Sequence, residues 1–178
     1  DAPFVNVSTS CIGVDHRRAQ YEVAAKTVME NNCKRILYIA GKRNGYVTDE
    51  RIRGMEDLVK EKNLTMLVRN GEFSELQARN ITLKYAKNKD IVVCASDLMA
   101  IGAMKALIQM DIFRPVCGFD GIILMGYVGK QMNTVRQDFA SISESAMEEL
   151  QELMNGGYGR NIVMKHSLVR MKYEDIIA

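Results

Sequence analysis

The stretch IVVCASDLMAIGAMKAL, residues 91–107, narrows the folds open to this chain more than any other. Residues 91–95 form an unbroken apolar run, the pattern of a strand buried on both faces. Ser96 or Asp97 then offers a side-chain oxygen to an orphan N–H of a first helical turn. Leu98, Ile101, Met104, Leu107 and Ile108 recur at the spacing of one helical face. The unit is a strand, a turn and a helix, with a polar pair at the carboxyl end of the strand. Open parallel sheets bind small ligands at that end.

The same unit recurs on either side. Residues 4–7 are a short strand candidate. A helix is expected from His16 to about Asn31, with Ala19, Val23, Ala24, Thr27 and Val28 as its inner stripe and Asn32 as a left-handed stop. Residues 35–40, RILYIA, read as a second buried strand. Asp49 is placed to cap a helix whose apolar side is Ile52, Met55, Leu58 and Val59. Residues 66–68 follow as a short strand, and Asn70-Gly71 turns the chain. Ser74 and Gln77 have the spacing of a capping box ahead of a helix lined by Ala78, Ile81 and Tyr85. Residues 116–119 are the next strand, closed by Asp120-Gly121. Helices and strands joined by short links predict an α/β fold with a parallel sheet covered on both faces. Right-handed crossovers would gather the strand-to-helix turns at one edge.

After Gly121 the alternation stops. Residues 122–132 are punctuated by glycine, and residues 133–137 read as extended. Residues 142–155 form an amphipathic helix with Ile142, Ala146, Leu150, Leu153 and Met154 expected to face inward, stopped by Gly156-Gly157. Residues 162–164 and 167–170 are the last strand candidates.

Composition excludes several classes. The 178 residues carry a net charge of +2, too small to predict nucleic-acid binding by this segment. The four cysteines include no C-x-x-C pair, and His16 and His166 are far apart in sequence, so neither a zinc site nor any other cofactor is expected. Cys94 and Cys117 lie in apolar runs, where cysteine acts as a small hydrophobe. Reduced cysteines predict a cytoplasmic protein, and no apolar run reaches the length of a membrane span. No nucleophile elbow exists, neither histidine has a nucleophile partner, and residues 126–131 lack the spacing of a phosphate loop, so an enzyme is not expected.

Several strings, in order, resemble one family: Val14-Asp15-His16, residues 36–41, Arg51-Ile52-Arg53-Gly54, Gly71-Glu72-Phe73-Ser74, SDLMAIGA at residues 96–103, Gly118-Phe119-Asp120, Thr134-Val135-Arg136-Gln137 and Leu168-Val169-Arg170. Together they resemble the effector-binding region of the lactose-repressor/galactose-repressor family of bacterial transcription regulators, which is similar to periplasmic sugar-binding proteins. The resemblance implies two Rossmann-like lobes, each a three-layer parallel sheet, joined by three crossovers with the effector between them. It also implies an N-terminal helix-turn-helix domain and a first lobe built from upstream sequence. On that pattern residues 13–130 and 158–178 are the second lobe, residues 1–12 and 131–157 belong to the first lobe, and the DNA-binding domain is absent. Departures from the pattern are Asn32-Cys33 before the second strand and Gly121 after Asp120.

The resemblance assigns Arg51 to the pocket, where a guanidinium can fork onto hydroxyls or a carboxylate. Asp120 closes a strand at the ligand edge and can accept two sugar hydroxyls, or else serve as a turn aspartate. Phe73 suits stacking on a sugar face or core packing. Ser96 suits a helix cap or a ligand contact. Asp15 suits a cap, with a pocket or hinge role behind it, and Asp97 a cap. Glu22 reads as part of a solvated helix face. The expected function is ligand sensing: a small effector, a sugar, binds between lobes and controls operator binding by a homodimer. DNA would be contacted only through the absent domain, and no membrane is involved. The alternative is an extracytoplasmic sugar-binding protein of a transport system.

Overall fold

A computed structural model describes residues 8–122 and 131–171. The strand candidate at residues 4–7 and residues 123–130 lie outside those residues. The elements run β1 (Cys11–Val14), α1 (His16–Glu30), β2 (Arg35–Ala40), α2 (Tyr46–Lys62), β3 (Thr65–Asn70), α3 (Glu75–Tyr85), β4 (Ile91–Cys94), α4 (Asp97–Gln109), β5 (Val116–Cys117), β6 (Met132–Gln137), α5 (Phe139–Met154), β7 (Asn161–Met164) and β8 (His166–Met171). A single 3-10 turn, Ala86–Asn88, follows α3. The chain divides into two units: a larger one of residues 16–136 and 168–178, and a smaller one of residues 1–15 and 137–167.

The larger unit is built on a sheet ordered β3-β2-β4-β5-β6-β8. The pairs from β3 to β6 are parallel. Moving from β2 to β3 carries the chain one way across the sheet, and moving from β3 to β4 to β5 carries it the other way. Right-handed crossovers therefore put α2 on one face and α3 and α4 on the opposite face. The apolar run of residues 91–95 is completely buried, as are Ile36, Leu37, Tyr38, Ile39 and Ala40. The parallel α/β expectation is met, and so is the α1 stripe, in which Ala19, Val23, Ala24, Thr27 and Val28 are all buried. Asn32 takes the left-handed conformation expected of the stop, at φ 50°.

Helices on one face pack in close pairs, and glycine permits it. A Cβ on Gly102 of α4 would sit 2.1 Å from the Glu75 carbonyl oxygen of α3, and a Cβ on Gly54 of α2 would sit 2.1 Å from the Arg17 carbonyl oxygen of α1. Backbone cannot move aside as a flexible side chain can. Gly102→Ala should therefore cost about 1–3 kcal/mol, lowering Tm by roughly 2–4 °C per kcal/mol in a thermal melt.

Several boundaries and faces differ from expectation. Helix α2 begins at Tyr46, and Asp49 lies within its first turn rather than capping it. There its carboxylate still complements the helix dipole. Helix α5 begins at Phe139, because Asp138 accepts the Ser141 N–H at 3.1 Å. Strand β5 is two residues long. On α4, Leu98 and Ile108 are 40% and 66% exposed, although the helix buries nine residues. The helix packs on the sheet and against α3, and Leu98 and Ile108 lie on the side that neither covers.

In the smaller unit β1 and β7 pair in parallel, and Glu149 of α5 is buried against Ser10 (2.9 Å to Ser10 Oγ) and Arg160. The helix thus turns Ile142, Ser145, Glu149 and Leu153 inward. Ala146, Leu150 and Met154, expected inward, are exposed. The buried turn carries Glu149, paired with Arg160, in place of part of the apolar stripe. Strand β6 completes the larger unit's sheet, with Gly118 N–H bonded to Asn133 O at 3.0 Å. Residues 131–136 therefore fall in the larger unit, whereas the family resemblance gives them to the first lobe.

Candidate functional site

Arg51 organises the site. It lies in the second turn of α2 and is only 4% exposed. Its Nη1 donates to the Ala95 carbonyl just past β4. Nη2 is 3.3 Å from His16 Nδ1 and 3.7 Å from Asp120 Oδ1. The guanidinium carbon stands 3.5 Å over the Phe119 ring centroid, a cation–π contact. Nε is buried without a hydrogen-bond partner, and so is the Tyr38 hydroxyl in the middle of β2. Burial pulls the Arg51 pKa down, while Asp120, Tyr38 and Asp97 pull it back up. A buried guanidinium with an orphan donor is costly to fold around.

The remaining expected residues fall as follows. Asp120 follows β5 beside Arg51, with φ 113° and a side chain 26% exposed. Ser96 follows β4, is buried, and caps α4 by accepting the Met99 N–H at 3.3 Å. Phe73 follows β3 in a turn where both Glu72 and Phe73 have φ near +55°. Its half-buried ring covers Gly41 at the end of β2, where a Cβ would sit 2.1 Å from Phe73 Cζ. Arg51, Phe73, Ser96 and Asp120 thus share the carboxyl edge of the sheet. Asp15 belongs to the smaller unit and is exposed. Glu22 pairs with Arg18 on an exposed helix face at 2.8 Å.

Two neighbours of Arg51 were not singled out as site residues. His16 and Phe119 pack ring on ring, 5.9 Å apart and tilted by 40°. Both lie inside strings that carry the family resemblance, which was the available signal. Asp97, expected to cap, leaves that task to Ser96. It is fully buried, accepts the Thr134 hydroxyl at 2.7 Å and the Ile122 N–H at 2.9 Å, and burial pushes its pKa up to about 7 against those two hydrogen bonds.

A second concavity of about 290 Å³ opens at the other end of the sheet, lined by Glu30, Phe113, Arg114, Asn133 and Arg170 among others. It sits at the amino ends of the strands, and its polar groups bond one another: Asn133 donates to Thr27 Oγ1 and Glu30, and Arg170 donates to Asn133 and Glu30. No group of metal-ligating side chains occurs among the described residues. Cys94 and Cys117 are fully buried in β4 and β5, as small hydrophobes would be. No described helix is long and apolar enough to cross a membrane.

The family described as "Periplasmic binding protein-like domain" matches residues 25–173. The chain belongs to this family. Among relatives of the periplasmic binding protein-like chain, the HTH-type transcriptional regulator MalR of Clostridium butyricum is 28% identical over 171 residues, covering 90% of this chain and 51% of that protein. That agrees with the lactose-repressor/galactose-repressor resemblance. The chain spans about half the length of the curated relatives it matches. Among solved structures, a LacI family transcriptional regulator from Arthrobacter sp. FB24 in complex with lactose superimposes with TM-score 0.80 at 22% identity, covering 93% of this chain and 67% of that one. An ABC transporter periplasmic solute binding protein from Actinobacillus succinogenes with bound D-allose gives TM-score 0.82 at 20% identity, covering 96% and 63%. At these identities the two structures establish the periplasmic binding protein-like fold, and nothing about ligand.

Proposed function

We propose that this chain is the effector-binding portion of a bacterial transcription regulator and that a small hydroxylated molecule, a sugar, binds at the Arg51–Asp120 edge. The observation that carries this reading is the buried Arg51 guanidinium, unsatisfied at Nε and facing a partly exposed carboxylate at the ligand edge of a parallel sheet. A carboxylate accepts hydroxyl protons in pairs, and a guanidinium donates in a planar fork. Phe73, held over Gly41, offers an aromatic face to the apolar side of a sugar ring, and Ser96 a hydroxyl. In the whole regulator the effector would bind differently to open and closed lobe arrangements, and this difference would shift the population of DNA-binding states. Operator DNA would be held by a separate helix-turn-helix domain, and the regulator would act in the cytoplasm. A role in transport draws support from the solute-binding fold alone, whereas regulation draws it also from the sequence relatives. Isothermal calorimetry with lactose, cellobiose and D-allose tests the reading. Heat of binding that vanishes in Asp120→Ala supports it, and binding that Asp120→Ala leaves intact overturns it.

The regulator would work as a homodimer. Leu76, Leu98 and Ile108 are 60%, 40% and 66% exposed on neighbouring turns of α3 and α4. They line a groove with Glu75, Arg79 and Lys105, in which Glu75 and Lys105 pair at 2.6 Å, and these exposed apolar side chains are what a second copy would cover. Leu98→Glu with Ile108→Glu is expected to shift the chain from dimer to monomer in sedimentation equilibrium while its melting temperature stays unchanged. A wild-type chain that sediments as a monomer at 100 µM, on the order of a weak interface's Kd, would contradict the dimer.

A further inference from the structure

We infer that Asp97 and Thr134 form a clamp that holds Asp120 in its strained backbone conformation beside Arg51, which makes Asp97 a positioning residue of the ligand site. This rests on the reading that Arg51 and Asp120 receive the ligand. Asp120 has φ 113°, a region that residues with a Cβ rarely adopt. Such a conformation persists only where its surroundings over-determine it, and such residues cluster at functional sites. Here most of the surroundings converge on one buried residue, Asp97. The Asp97 N–H donates to Phe119 O at 2.7 Å, immediately before Asp120. The Ile122 N–H donates to Asp97 Oδ2 at 2.9 Å, just after it. The Gly121 N–H donates to Thr134 Oγ1 at 3.3 Å, and that hydroxyl donates to Asp97 Oδ1 at 2.7 Å. The Asp120 N–H itself donates to Val135 O at 2.9 Å. Every residue from Phe119 to Ile122 except Asp120 is tied to Asp97 directly or through Thr134.

Helix capping does not account for this carboxylate, because Ser96 already accepts the Met99 N–H. Nor does solvation, because Asp97 is fully buried. What it does is bring α4, β6 and the turn after β5 to one point, and the residue left projecting from that point is the carboxylate that faces Arg51. An asparagine can keep the arrangement: its carbonyl accepts from Ile122, and its amide donates to Thr134, whose hydroxyl turns to Val135 O, 3.5 Å away. An alanine cannot.

The test uses the whole 178-residue chain and the variants Asp97→Ala, Asp97→Asn, Thr134→Val and Asp120→Ala. Three quantities are read: amide hydrogen exchange at Gly121 and Ile122, the NMR signals of the Arg51 guanidinium, and the dissociation constants of lactose, cellobiose and D-allose as probes. Asp97→Ala and Thr134→Val are expected to speed exchange about tenfold or more and to move the Arg51 signals towards those of Asp120→Ala. They should weaken whichever probe binds by about tenfold. Asp97→Asn should return all three readings to within about threefold of wild type. Should Asp97→Ala fail to fold, Thr134→Val still decides, since it exchanges a hydroxyl for a methyl of the same shape. Unchanged exchange and unchanged Arg51 signals in Thr134→Val overturn the clamp. If no probe sugar binds the wild type, the ligand reading fails for those sugars, while exchange and the Arg51 signals still support or overturn the clamp.

Discussion

Between pH 4 and pH 8 the wild-type chain should lose roughly 4 kcal/mol of folding stability through Asp97, and Asp97→Asn should not. Burial is the cause: with no solvent to stabilise its charge, the folded carboxyl keeps its proton up to about pH 7. Asp120 nearby adds to the rise, while hydrogen bonds from Thr134, Ile122 and Gly121 oppose it. In the unfolded chain the same group loses its proton near the ordinary value of 3.8. Across the interval the folded state binds more protons than the unfolded state, so stability falls as pH rises. It is complete below the unfolded value and gone above the folded one. Carboxylates held below their ordinary range by partners, among them Asp57 by Arg17, Asp90 by Arg35 and Glu149 by Arg160, act in the opposite sense, towards the acid end of the interval. Urea melts at half-unit pH steps measure the effect. A wild-type profile parallel to that of Asp97→Asn would mean that Asp97 is ionised throughout.

The second large effect separates binding from folding at Arg51. Arg51→Met should weaken sugar binding by about a hundredfold or more, since it removes charge-assisted donors worth about 1.5–3 kcal/mol each. Its melting temperature should nevertheless stay within about 3 °C of wild type. Methionine fills the aliphatic volume and keeps the contact with Phe119, and it does away with both the desolvated charge and the orphan Nε. Arg51→Lys should bind in between, because an ammonium keeps the charge and loses the fork and the flat stack on the ring. Calorimetry and thermal melts on the same preparations check both halves. A variant that melts far below wild type would mark Arg51 as structural.

Much of the larger unit was legible residue by residue. The apolar runs of β2 and β4 have no polar interruption, so they had to be strands buried on both faces. The inner stripe of α1 is apolar at helical spacing apart from Thr27, so its buried side could be read directly. Ser74 accepts the Gln77 N–H at 3.3 Å as its capping spacing predicts. Alternation and handedness gathered the strand ends at one edge, and the family resemblance picked out Arg51 and Asp120 there. The α5 stripe misled, because periodicity identifies an apolar face and not what covers it. Leu150 and Met154 are 50% and 78% exposed, and the buried turn carries Glu149.

Sequence by itself determined the layer order, the edge at which polar residues gather and the family, because these depend on local runs, turn chemistry and strings of adjacent residues. Only tertiary structure decided that Arg51 is buried on Phe119, that Ser96 rather than Asp97 caps α4, and that Asp97 ties the turn around Asp120 to Thr134. Each of those facts joins residues from separate elements, Asp97 and Thr134 being 37 positions apart. Whether a charged side chain is solvated or buried depends on which neighbours the fold brings to it. A sequence names those neighbours without placing them.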